Sequence, residues 1–368
     1  MPARVIGARI RAKREELGFS QDAVSRLLGF NDRQTLSSIE TGERRVSADE
    51  LLRFSEVLAA PLDFFTDPFH LAGEGRFNWR QSGVPATKLD AYEREAGRLI
   101  ALFRALGTEM GRLPPLLRQT LALTKDSSYE DAAAAGERFA AEFALGDAPA
   151  LRLAEVMERE LGILVLMVDP VPGISGAACR LPELDAVLIN RREVRGRRHY
   201  DLAHELFHVL TWDGMPPERI EDAAAKPRGR VEQLADRFAS GVLMPKGVLE
   251  HLGPWNELEG AALAARLRPA AEELGVTSSA LRWRLAALGM LPKRVAEGVD
   301  EDLLRNNGRK GARREVPALF SRPFAELVAA AMDAGRISAR RAAGLLGLAI
   351  DDLADAFAAH GVAFDPGL

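Results

Sequence analysis

At 368 residues the chain is long enough for two or three domains, each with its own core. A net charge of −4 excludes a global basic field that would draw the whole molecule onto nucleic acid, so any DNA contact must come from a local patch. The single cysteine, Cys179, excludes an intrachain disulfide and a thiolate metal cluster, and fits the reducing cytoplasm expected for this chain.

Residues 1–67 predict five short helices. Val5, Ile6, Ile10 and Leu17 give the first an apolar face, and its charged flanks with no apolar run do not read as a signal peptide. Gly18 stops it, Ser20 caps the second (21–28), and 29–32 form a turn. The third covers 33–40 and closes at Thr41-Gly42. Ser47 caps the fourth, over 48–58, and Pro61 opens a short fifth. Residues 68–86 read as a linker and 88–119 as a spacer helix, within a connecting segment of 68–128. The unit 129–252 predicts helices over 129–145, 149–161, 197–212 and 231–243, and strands over 163–168 and 186–190. Residues 253–368 are rich in Ala and Leu and predict a helical C-terminal domain, broken by the polar stretch 305–314. The expected class is mainly α with a small sheet, that is α+β. No apolar run reaches the roughly 18 residues of a membrane span.

The chemistry centres on His204-Glu205-Leu206-Phe207-His208. On a helix, i and i+4 share a face one turn apart, so two imidazoles can meet one metal ion. Glu205, next to the first, projects beside the ion and can move a proton between water and a leaving amine. A catalytic site needs a third protein ligand and an open position. Glu232 and Asp236 again stand at i and i+4 on one helix. Glu232 is the expected third ligand, with Asp236 holding the other nitrogen of a ligating histidine. His199 and Tyr200 are weak candidates for an oxyanion donor, and packing suits Tyr200 better. Two imidazoles and a carboxylate point to one Zn²⁺ per chain and leave Mn²⁺ and Fe²⁺ open.

This pattern, with Glu232-x-x-Ala235-Asp236-x-Phe238-Ala239 and Leu243-Met244-Pro245, resembles the ImmA/IrrE metallopeptidases, which are similar to small gluzincins. The resemblance covers about 129–250. It implies a zinc endopeptidase that cuts a repressor-type protein, here a partner or the chain itself, in a stress or DNA-damage response. A regulator whose zinc domain only senses a ligand or nucleic acid is the alternative. Residues 187–190 resemble the family's edge strand. A peptide substrate can add to such an edge, with Asn190 at its end as an anchor.

Residues 17–29 and 36–42 resemble the phage-repressor-like (XRE) helix-turn-helix family, over 5–66. The resemblance implies double-stranded operator DNA as partner, with Arg33, Gln34, Thr35 and Ser38 at base edges and Gln21 bracing them on a phosphate. Arg44 and Arg45 follow as phosphate contacts. Acids balance bases across 1–67, so binding calls for a homodimer. Basic runs include Arg191, Arg192 and Arg195, a candidate patch for single-stranded DNA as signal, then Lys226, Arg228 and Arg230, and Arg305, Arg309, Lys310, Arg313 and Arg314.

Overall fold

The computed structural model describes residues 3–222, 229–308 and 315–363, so Lys226, Arg228, Arg309, Lys310, Arg313 and Arg314 lie outside the described residues. Five short helices open the chain as expected: α1 (Ala3–Glu16), α2 (Gln21–Leu28), α3 (Arg33–Thr41), α4 (Ala48–Val57) and α5 (Leu62–Thr66). Ser20, Asp32 and Ser47 each accept a backbone N–H at the start of α2, α3 and α4. Ile10, Val24, Leu36, Ile39, Phe54 and Phe65 are fully buried and form the core of this unit. A buried ion pair, Arg14 Nε to Glu40 Oε1 at 2.6 Å, joins α1 to α3.

The next segment departs from the expected linker. It holds β1 (Arg76–Gln81), followed by α6 (Ala86–Glu109), α7 (Tyr129–Glu142) and α8 (Leu153–Arg159). Then come β2 (Leu164–Val168), β3 (Ile174–Arg180), β4 (Asp185–Asn190), α9 (Arg195–Thr211), β5 (Ile220–Asp222) and α10 (Arg230–Leu243). The remaining helices are α11 (Lys246–His251), α12 (Gly260–Leu274), α13 (Ser278–Ala287), α14 (Lys293–Glu297), α15 (Glu301–Leu304), α16 (Arg322–Asp333), α17 (Ala339–Leu346) and α18 (Ile350–Ala358). The class is α+β.

The five strands form one mixed sheet in the order β2-β4-β3-β1-β5. β2 and β4 follow the expected strands, whereas β1, β3 and β5 have no counterpart in the sequence reading. β1 buries Asn78, Arg80 and Gln81 beside Trp79, so it forms no continuous apolar run. β3 runs through Gly176, Ala177 and Ala178, small residues that let α9 pack closely on it. β4 pairs with β2 on one side and β3 on the other, so it is interior and not the edge strand that the resemblance implies. β5 is an edge, parallel to β1 with Arg80 opposite Glu221.

Alternate residues of each strand feed two cores. Leu166, Leu188 and Trp79 pack with α6 and α16–α18 through Ile100, Phe103, Phe324 and Phe357. Val165, Val187 and Ile189 pack with α7–α10, α12 and α13 through Phe139, Phe207, Phe238, Leu263 and Leu281. The described residues of 253–368 are therefore shared between the two faces of the sheet and do not pack as a separate unit. Cys179, on β3, is buried and free, and burial pushes its thiol pKa well up.

Two close approaches position the rest. α7 and α10 meet through glycines: a Cβ on Gly136 would lie 2.3 Å from the Phe238 carbonyl oxygen, and one on Gly241 would lie 2.1 Å from that of Ala133. The fully buried Arg9 of α1 ties the first unit to the sheet-containing body. It donates to Glu74 at 3.0 Å and to the carbonyls of Phe64, Asp67 and His70, and Glu74 also faces Arg104 of α6 at 3.5 Å. Among the described residues no helix is long and apolar enough to cross a membrane.

Candidate metal centre

From Asp201 to Thr211 every residue of α9 is buried. His204 and His208 sit one turn apart with Nε2 atoms 3.2 Å from each other. α10 brings Glu232 Oε2 to 3.1 Å from His204 Nε2 and 3.5 Å from His208 Nε2. A fourth donor, absent from the sequence reading, arrives on β5: Glu221 Oε2 lies 3.5 Å from His204 Nε2. One ligand atom from each of these four residues falls within 4.8 Å of all the others.

The donor chemistry can be tested against a metal. His204 Nδ1 donates to Asp236 Oδ1 at 3.0 Å, which leaves Nε2 with a lone pair. That lone pair faces the Glu232 and Glu221 carboxylates, which as anions only accept. Converging acceptors inside a protein need a cation between them. A tetrahedral ion with ligands at roughly 2.0–2.1 Å has ligand–ligand edges of about 3.3 Å. The four contacts of 3.1, 3.2, 3.5 and 3.5 Å bracket that value. The residues present fit a divalent ion.

The same crowding of acids shows in the electrostatics. Burial and Arg80 pull His204 down, but the Asp236, Glu221 and Glu232 carboxylates raise it well above the usual imidazole value, so the site favours positive charge at this ring, as proton or as metal. Burial pushes Glu232 up, and the two histidines overcome that and hold it well below the carboxylate range. Glu205 is fully buried and neither oxygen has a hydrogen-bond partner; burial first, then Glu221 and Glu232, push it up to about 8. Gly176 flanks it, since a Cβ there would lie 3.4 Å from Glu205 Oε1.

Arg80 of β1 and Asp201 of α9 are further residues that the sequence did not single out. Arg80 Nη1 donates to Asp201 Oδ1 at 2.7 Å, its Nε lies 3.6 Å from Glu221 Oε1, and its Nη2 lies 4.0 Å from Asp236 Oδ1. One buried guanidinium thus spans three of the acids around the cluster. A cleft of about 810 Å³ opens alongside and reaches the cluster through Arg80 and Asp236, with Tyr200, Arg237 and Trp283 on its walls. Tyr200 donates its hydroxyl to the Asp236 carbonyl at 2.7 Å, locking α9 to α10. His199 donates through Nδ1 to the Gly275 carbonyl at 2.7 Å.

Residues 10–65 match the helix-turn-helix family, and residues 160–286 match the IrrE N-terminal-like domain, a metallopeptidase-like family. The chain joins a helix-turn-helix domain to an IrrE-like domain. Over 60 residues it is 38% identical to an uncharacterized HTH-type transcriptional regulator of Sinorhizobium medicae (strain WSM419) and to another of Rhizobium meliloti (strain 1021). The alignment takes in 16% of this chain and 42% of each relative, so the chain spans under half the length of the curated relatives it matches. No solved structure matches it. The IrrE-like match begins at 160, yet Arg80 reaches the centre from β1, well before it.

In the helix-turn-helix domain, Arg33 and Gln34 stand exposed at the start of α3, while Thr35 and Ser38 are half-buried. Asp32 caps α3 through Thr35 N at 2.9 Å. Gln21 donates to Glu40, near the far end of α3 from the expected reading residues, at 2.9 Å. Arg44 is engaged by Glu50 at 2.7 Å, whereas Arg45 is exposed.

In the IrrE-like domain, Asn190 closes β4: it donates to the Ile174 carbonyl at 3.1 Å and accepts from Arg192 N at 2.9 Å. The exposed edge on which its substrate role rested is not there. Arg191 and Arg192 both bind Asp169, at 2.9 and 2.7 Å, so an acid offsets much of the basic patch. Arg195 opens α9 and is exposed.

Proposed function

We propose that this chain is a DNA-binding transcriptional regulator whose IrrE-like domain is a zinc endopeptidase that cuts a repressor-type protein or the chain itself. The observation that carries the reading is the convergence of His204, His208 and Glu232 on one point beside Glu205. Zn²⁺ held there would polarise a peptide carbonyl and an attacking water.

The chain's own groups do the rest. Asp236 fixes the His204 tautomer. Glu205 is the general base and acid: buried beside the cluster, it exchanges a proton with water and then with the leaving amine, and a cation held by the cluster would lower its raised pKa. Arg33, Gln34, Thr35 and Ser38 on α3 read the operator, with Arg45 on phosphate, and a homodimer supplies two such helices. The stress or DNA-damage setting rests on the family resemblance alone.

The test pairs metal content with cleavage. Wild type and Glu205→Gln should each bind one zinc, and only wild type should release fragments from a co-expressed repressor or from itself, read by intact mass. Wild type without stoichiometric metal would sink the reading.

The full burial of His204, Glu205 and His208 favours a second reading, a regulator whose metal domain senses without cutting. Stoichiometric zinc with no fragments from either protein would support it.

A further inference from the structure

Glu221 has no place in a three-ligand catalytic site, yet its carboxylate is inside the cluster. Catalytic zinc centres keep one position free of protein ligands, and closed four-ligand sets belong to structural centres. Here two imidazoles and two carboxylates converge, the donor number of a closed four-ligand centre. The placement is not a chance excursion of a surface acid. Glu221 is 7% exposed, its Oε1 lies 3.6 Å from the Arg80 guanidinium, and the β1–β5 pairing puts Arg80 directly opposite it.

The strand that delivers Glu221 also covers a binding edge. A peptide can join a sheet only by pairing with an edge strand. β5 uses β1 for that pairing, in the register Trp79–Ile220, Arg80–Glu221, Gln81–Asp222. If β5 were absent from the edge, the peptide groups of β1 nearest the cluster would be open to an incoming chain.

We propose that Glu221 is a fourth metal ligand and that β5 acts as a built-in substrate mimic, filling both the open coordination position and the sheet edge beside it. This rests on the metallopeptidase reading and adds that the form described is latent: a substrate must displace Glu221 before Glu205 has anything to act on. Arg80 holds the displaced carboxylate through Oε1 and keeps the latch close to the site.

Cobalt(II) substitution tests this without relying on activity. The full-length protein is loaded with Co²⁺, and its visible spectrum and acetohydroxamate affinity are compared for wild type, Glu221→Gln and Glu221→Asp. Asp is one methylene shorter and keeps the charge. In wild type the spectrum should be that of a closed four-coordinate site, changed little by acetohydroxamate. Both variants should show an altered spectrum and bind acetohydroxamate at least tenfold more tightly, because a position has been opened. Identical spectra and affinities in all three would overturn the proposal while leaving the metal site intact. Absence of cobalt from wild type, or a cobalt spectrum that His204→Ala leaves unchanged, would overturn the metallopeptidase reading on which the proposal stands.

Discussion

Replacing Gly241 with Ala tests how the third ligand is positioned. The new Cβ would lie 2.1 Å from the Ala133 carbonyl oxygen, where ordinary contact begins near 3.4 Å. The obstacle is backbone, so α7 and α10 must part by about 1.3 Å. Overpacking of this kind costs about 1–3 kcal/mol, while Ala for Gly in a helix returns about 1 kcal/mol. The net expectation is a loss of up to about 2 kcal/mol, or a fall in Tm of up to roughly 8 °C for a unit of this size. Gly344 is the control. It lies inside α17 with nothing within 4 Å of its Cβ position, so Gly344→Ala should raise stability by up to about 1 kcal/mol. The assay is urea unfolding of both variants, with zinc affinity measured alongside by competition with a chromophoric chelator. Because Glu232 rides on α10, Gly241→Ala should also weaken zinc binding, and Gly344→Ala should not. Equal stability changes in the two proteins would refute the account of helix packing. A destabilised Gly241→Ala with unchanged zinc affinity would refute the link from packing to ligand placement.

Other outcomes follow from the same structure. Asp236→Ala frees the Nδ1 of His204 and should cost about 10–100-fold in zinc affinity, measured by the same competition. Burial pushes the Asp169 carboxyl up, but hydrogen bonds from Arg191 and Arg192 prevail and hold it down at about 2. Its folded value is depressed, so its contribution is present above the unfolded value of about 3.9 and is lost as pH falls towards 2. Acid unfolding of Asp169→Asn should therefore lack that part of the pH dependence, and overlapping curves from pH 5 to 2 would contradict this. Arg33→Ala should weaken binding to a selected operator by about tenfold or more, with a smaller effect on random duplex, in a mobility-shift titration.

The helical half of the centre is legible in sequence because helices encode it locally. His204 and His208, and again Glu232 and Asp236, are spaced at one helical turn, and apolar neighbours at helical spacing reveal which face is buried. The five N-terminal helices are legible for a similar reason: Ser20, Asp32 and Ser47 mark their starts by local hydrogen bonds. Glu221 and Arg80 are not legible. Their meeting depends on a parallel pairing between strands about 140 residues apart; β5 is only three residues long, and the short alternation of β1, Arg-Phe-Asn-Trp-Arg, says nothing about which distant strand it joins. β3 is silent too, because its Gly and Ala answer to the approach of α9 and not to strand propensity. Arg44 reads as a phosphate contact, and its exposed pairing with Glu50 is a feature that only the fold supplies.

The position of β1 bears on what a cut in this chain could accomplish. In sequence β1 belongs to the N-terminal segment, but its ladder with β3 runs from Arg76–Arg180 to Gln81–Ile174, and Trp79 is sealed in the core beneath it. Scission anywhere between β1 and β2 would therefore leave the DNA-binding piece fastened to the rest by six register pairs and a buried indole. A nick there is not a release. Only a break before Arg76 would let α1–α5 leave without dismantling the sheet. If it fell before Glu74, the Arg9–Glu74 bond would span the cut and hold the pieces together; just after Glu74, that residue would leave with Arg9 and give up only its contact with Arg104. Self-cleavage would separate reader from effector most readily just after Glu74.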